Sequence, residues 1–292
     1  MKSLSDHRDS VLAACSELKV IFTDLDGTLL GRGGSLFRLG DGTPTGAPAA
    51  ALAEAHMRGV EVIPVSGRQI EHVEPVAWVI GARSYIAEVG AIISLHTKES
   101  PRPRTIKLFG ECLPSENPPY ETMICSGAVD LLLERNRGKL EFHTPWNEGR
   151  IASHLFRGNV HVAEENEALR KAGIDWCHLV DNGVIPRQYE SLEVSRVHAY
   201  HLLPYGTSKA RAIREVIRRL GLRRQEAVSL GDSRADIETA AEVGAMFLLR
   251  HAVDLDPSIV KFAKQFDNVF VTEKPHGLGW AEAVELCLRE KG

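Results

Sequence analysis

Four short apolar runs, LKVIFTDL, VEVIPVSG, EAVSLGD and AMFLLR, most narrow the folds open to this chain. The first two are rich in β-branched residues, none shows the sustained apolar/polar alternation of a half-solvated strand, and each stops at turn or polar residues. That is the pattern of strands buried on both faces at the centre of a parallel sheet. Between the first two runs lies helix-forming GAPAAALAEAHMRG, for which Gly59 is the expected C-cap. SKARAIREVIRRLG, closed by Gly221, precedes the third run, and RADIETAAEVG joins the third to the fourth. Strand, helix, strand is the grammar of an α/β fold: a Rossmann-like, doubly wound parallel sheet with right-handed crossovers.

This grammar is interrupted. SPRPRTIKLFG and PSENPPY are proline-rich and exposed in character, and Asn182-Gly183 between DWCHLV and VIPRQ predicts a hairpin turn. The spacing predicts a core formed by residues 1–93 and 198–292, with an α+β domain inserted at 94–197. A chain of 292 residues, 43% hydrophobic and 25% charged, has the composition for a sizeable core and lacks the marks of disorder or of membrane spans. Its net charge of -4 argues against nucleic acid or an anionic membrane as partner. The five scattered cysteines suggest neither a disulfide frame nor a zinc site, and Asp6, His7, Arg8 and Asp9 break the first apolar stretch as no signal peptide would. A cytoplasmic protein is expected.

In a doubly wound sheet the loops after the strands' carboxyl ends converge on one crevice. Asp24, Asp26, Ser66 and Asp232 all follow predicted strands, and Lys209 falls in the first turn of a helix that Thr207 or Ser208 can cap. A helix N-terminus with an ammonium suits a phosphoryl oxygen. Several carboxylates meeting at one point repel one another unless a cation is shared, and magnesium (Mg2+), which prefers oxygen ligands, fits Asp24, Asp232 and Asp236. Asp26 is left for proton transfer. In the turn between, Gly27 permits a sharp departure and Thr28 offers a hydroxyl to fix it. The glycine-rich GRGGSLFRLGDGTPTG matches no phosphate-loop spacing and reads as a flap. His198 and His201 are expected in structural roles, and VEPVAWVIG and WAEAVELCL in ordinary core packing.

DLDGTLL, VSGR, Lys209 in GTSKA, and GDSRAD together resemble the four ordered motifs of the haloacid dehalogenase superfamily of phosphohydrolases. The insert between the second and third motifs is similar to the type-two cap of its Cof-like subgroup, a plan shared by sucrose-phosphate, mannosyl-3-phosphoglycerate and phosphoglycolate phosphatases. The resemblance implies Asp24 as nucleophile and Asp26 as general acid, then base. It implies that Ser66 and Lys209 hold the phosphoryl group. Magnesium would be bound by Asp24, the backbone carbonyl of Asp26, and Asp232, with Asp236 at or just outside the metal shell. Two positions depart from the pattern: Ala235 stands where relatives commonly have Asn, and Val89 stands in a Glu-Asn-Gly segment.

The expectation is therefore a phosphomonoesterase of a small phosphorylated sugar or sugar acid, with cap residues such as His143, Trp146, Asn147, Arg150, Asn182, Arg187 and Gln188 as candidates to meet the leaving group. A phosphomannomutase-like mutase and a catalytically inactive sugar-phosphate binder are the alternatives. A phosphorylated receiver domain would need neither Asp26 nor the insert.

Overall fold

A computed structural model describes residues 2–97, 100, 102–112, 117–185 and 187–289. Pro101, Pro114 to Glu116 in the proline-rich stretches, and Pro186 after the expected hairpin lie outside the described residues. The strands in chain order are β1 (Lys2–Ser3), β2 (Val20–Thr23), β3 (Glu61–Pro64), β4 (Tyr85–Ala87), β5 (Ile92–Leu95) and β6 (Arg104–Lys107). They continue as β7 (Leu140–Phe142), β8 (His154–Gly158), β9 (Cys177–Ile185), β10 (Val197–Pro204), β11 (Ala227–Gly231), β12 (Ala245–Leu248) and β13 (Val269–Val271).

Contacts divide the chain into two compact units. The first comprises Met1–Gly67, Glu71–Ile106 and Ser208–Gly292, and the second Arg68–Ile70 and Lys107–Thr207. The divisions at 106/107 and 207/208 differ from the expected 93/94 and 197/198 because β5 pairs with β4, whereas β10 lies inside the second unit's sheet.

The first unit is built on a six-stranded sheet in the order β1-β13-β12-β11-β2-β3, with every pair parallel. Every residue of β2, β11, β12 and β13 is buried, as continuous apolar runs require when helices cover both faces. The N-terminal segment adds the edge strand β1 and a helix, Arg8–Cys15, which meets the C-terminal helix His276–Leu288 where the free thiols of Cys15 and Cys287 touch. RADIETAAEVG is not one helix. It breaks into a short α-helix, Arg234–Ile237, and a 3-10 turn, Glu238–Ala241, because the side chains of Arg224 and Asn268 take the Ala240 carbonyl and Thr239 takes that of Asp236.

The second unit is a four-stranded antiparallel sheet in the order β7-β8-β10-β9, with a core of Met123, Leu132, Phe156, Leu169, Leu179 and Tyr200 among others. The hairpin expected at Asn182-Gly183 is absent, and β9 runs through it. Asp181 pairs with Tyr200 and Val184 with His198, so three steps on β9 face two on β10. The turn-forming residues therefore make a bulge, with Gly183 at φ +101° and its N–H donated to Asp181 Oδ1 at 2.8 Å. His198 bonds the same carboxylate, and His201 is buried. Asn147 and Arg150 hold their own segment, through Leu155 N–H and through the Trp146 carbonyl and Ser153 hydroxyl.

Candidate active site

Adjacent parallel strands lie about 4.8 Å apart, so side chains just past the ends of neighbouring strands become neighbours themselves. Thr23 of β2 is in register with Leu230 of β11 and Pro64 of β3. Asp24 follows β2 immediately and donates its N–H to the Leu230 carbonyl at 2.9 Å, and Asp232 follows β11. Behind them the buried Trp280 donates Nε1–H to Thr23 Oγ1, which donates to the Asp24 carbonyl at 2.7 Å. The chain turns at Gly27, whose φ is +82°. A Cβ there would stand 2.3 Å from Asp232 Oδ2, so only glycine fits. The Thr28 hydroxyl does not fix this turn: it is buried and makes no hydrogen bond among the described residues.

Lys209 opens the helix Lys209–Leu220, capped by Ser208, whose hydroxyl accepts the Arg211 N–H at 3.1 Å. Its ammonium, 3% exposed, donates to Asp24 Oδ1 at 2.7 Å and to Asp236 Oδ1 at 2.8 Å. The helix start is abutted by Gly90, where a Cβ would lie 2.2 Å from the Ser208 carbonyl. Glu88 and Val89 before it are left-handed, with φ of 47° and 56°. Valine is strained there, whereas asparagine adopts this conformation readily, which gives the departure at Val89 a physical meaning.

Asp236 closes a capping box. Its Oδ2 accepts the Ser233 N–H at 3.0 Å, the Ser233 hydroxyl at 2.6 Å and the Asp232 N–H at 3.2 Å, while Oδ1 meets Lys209. Both its oxygens thus hold protein groups in place. Oxygens of Asp24, Asp232 and Asp236 lie within 4.8 Å of one another. With one ammonium among three carboxylates, a formal excess of two negative charges remains. Burial raises Asp24 well above the ordinary carboxylate range; Lys209 pulls it down, and Asp236 and Asp232 push it up. Burial and then Asp236 raise Asp232 to about 7. Lys209 is held above its ordinary value because the two carboxylates outweigh its burial. An oxygen-donor set with this charge excess fits one hard divalent cation.

The Asp26 carboxylate stands outside the three-acid group and is exposed. Ser66 is buried just past β3. Its N–H goes to the Ile86 carbonyl, and its carbonyl accepts the Val89 N–H, tying this strand end to the strained turn. No short motif marks two further residues at the site. His251, 7% exposed, places Nε2 3.0 Å from Asp232 Oδ2, and His276 stacks on it with ring centroids 3.6 Å apart. Burial lowers His251 to about 4, so this contact is a hydrogen bond from a neutral ring.

Residues 21–107 and 182–263 match the family model of haloacid dehalogenase-like hydrolases. A phosphoglycolate phosphatase from Pyrobaculum aerophilum is 26% identical over 286 residues, 92% of this chain and 96% of that protein. One from Methanoculleus marisnigri is 25% identical over 270 residues, with the same two shares, 92% and 96%. A Synechocystis sucrose-phosphatase, solved with sucrose and phosphate, is alike in fold, with a TM-score of 0.60 at 16% identity over 93% of this chain and 98% of that one.

Proposed function

The chain belongs to the haloacid dehalogenase-like hydrolase family, and on that premise we propose that it is a magnesium-dependent phosphomonoesterase acting on a small phosphorylated sugar or sugar acid. Asp24 attacks phosphorus and forms an aspartyl-phosphate while Asp26 gives its proton to the departing alcohol. Asp26 then takes a proton from the water that attacks the same phosphorus, which frees Asp24 and releases phosphate. Lys209 and Ser66 hold the phosphoryl oxygens. Asp24, Asp232 and the backbone carbonyl of Asp26 are the residues that would hold magnesium, with Asp236 outside them fixing Lys209 and the 231–233 loop. Bound there, the ion supplies charge neutralisation at the phosphoryl group.

The observation that carries this reading is Lys209 Nζ at 2.7 Å from Asp24 Oδ1, inside a group of acids with excess negative charge. Asp24 must be ionised to attack, and the ammonium favours that form against burial. The inserted unit is assigned the choice of leaving group, and a cytoplasmic metabolite is the expected substrate. The relatives named phosphoglycolate phosphatase and the sucrose-phosphatase bracket the class to try first.

A panel containing phosphoglycolate, hexose phosphates, sucrose phosphate and mannosyl-3-phosphoglycerate, at fixed magnesium, tests the reading. Free phosphate and isomerised sugar phosphate are measured from the same reactions. Magnesium-dependent phosphate release from at least one member is expected. Isomerisation without release would make the protein a mutase, and tight binding without turnover would make it a binder.

A further inference from the structure

Asp232 is the most open of the three carboxylates: 23% of its side chain is exposed, against 9% for Asp24 and 4% for Asp236. The other two are clamped by Lys209. Among the described residues the Asp232 carboxylate has one hydrogen-bond partner, Nε2 of His251 at 3.0 Å. We propose that His251 is a positioning residue for the divalent-cation site, acting through Asp232. The proposal rests on reading the three acids as such a site.

The backbone specifies which nitrogen carries the proton. The His276 N–H points at His251 Nδ1 at 3.1 Å, so Nδ1 accepts and the ring proton sits on Nε2, facing Asp232. The ring cannot easily tilt away, because the His276 imidazole is stacked on it at 29° between planes. His276 is in turn constrained. It is left-handed, with φ of 48°; its Nδ1 lies 3.2 Å from the Gly27 carbonyl; and a Cβ on Gly40 would come within 2.6 Å of its ring.

The two histidines thus form a bracket between Asp232 and the turn that carries Asp24 and Asp26. Asp232 Oδ2 also lies against Gly27, where a Cβ would fall 2.3 Å from that oxygen and 3.7 Å from His251 Nε2. Oδ2 is therefore confined both by the Gly27 backbone and by the N–H donor of His251. Fixing one oxygen of a carboxylate fixes its plane, and with it the direction in which Oδ1 points. An aspartate without such a bracket would lose side-chain freedom on binding a cation. Partners that orient a metal ligand change affinity by roughly 10- to 100-fold when removed.

The test uses the full chain without substrate and follows manganese(II) binding by electron paramagnetic resonance in the parent, His251→Phe and His251→Gln proteins. The Phe variant keeps an aromatic stack and loses the donor, and the Gln variant keeps an amide N–H of similar reach. The Phe variant should bind manganese about tenfold or more weakly, the Gln variant within about threefold of the parent, and all three should melt alike without metal. On the best phosphate ester, the Phe variant should need more metal for half-maximal activity and lose less of its kcat at saturating metal.

Unchanged manganese affinity in folded His251→Phe would overturn the proposal, as would equal weakening in the Phe and Gln variants, which would mark the ring as packing alone. Failure of the parent itself to bind manganese would overturn the metal reading as a whole. If His251→Phe does not fold, His251→Asn, too short to span the gap, takes its place under the same outcomes.

Discussion

At the scale of residues, the charge balance at the ends of β2 and β11 rests on one side chain. Lys209 is the ammonium that the acid group holds, and its two carboxylate contacts are buried with it. Removing one partner of a buried ion pair leaves an uncompensated charge, at a cost of about 3–5 kcal/mol. Lys209→Met is therefore expected to lower the metal-free unfolding free energy by about that amount in urea titrations, to regain part of it in saturating magnesium, and to release no phosphate. An unchanged unfolding midpoint would contradict the charge account. Asp24 and Asp232 could be placed from the sequence because each follows an apolar strand run, and Lys209 because it opens a helix; the fold groups them with Asp236. His251 and His276 were not, since 25 residues separate them and only the fold stacks one ring on the other. Gly40 of the glycine-rich segment lies close to that stack, where a Cβ would come within 2.6 Å of the His276 ring, a placement that glycine-rich spacing alone does not reveal.

At the scale of elements, continuous apolar strands were readable and polar irregularities were not. Asn182-Gly183 carries turn chemistry, but a bulge uses the same left-handed glycine as a hairpin, and only pairing with β10 decides between them. The helical spacing of VEPVAWVIG does bury Val73 and Ala77 in helix Ile70–Val79, yet it leaves Trp78 68% and Val79 85% exposed. In the second unit, His154 of β8 is fully buried, stacks on Tyr120, and donates Nε2–H to the Tyr120 carbonyl. Its Nδ1 has no partner among the described residues, and burial, offset in part by that bond, lowers the ring from 6.5 to about 4. The unfolded chain therefore takes up a proton below 6.5 that the folded one refuses until about 4. Stability should be fully present above that window and fall across it by up to about 3 kcal/mol. Melting curves at successive pH values test this: His154→Phe should flatten the acid-side fall, and an equally steep fall in the variant would place its origin elsewhere.

At the scale of the whole molecule, four strands of the six-stranded sheet, β2, β3, β11 and β12, were legible because buried strands in a parallel sheet repeat one pattern, whereas β13 was not read. Its edge was not: β1 is two residues of ordinary polarity, made a strand only by pairing with β13. Among the described residues no helix is long and apolar enough to cross a membrane. Contacts divide the chain at 106/107 and 207/208 rather than at 93/94 and 197/198, since β10, apolar enough to read as a core strand, instead pairs with β8 and β9. The sheet brings residues from opposite ends of the chain to one group of acids, and the central claim is that Asp24 there attacks phosphorus. The most direct measurement compares magnesium-dependent phosphate release by the parent chain and by Asp24→Asn, both shown to be folded by their melting curves. Loss of release on the order of a thousandfold or more in the variant is the predicted result; a variant that keeps activity within about tenfold of the parent would contradict the covalent mechanism.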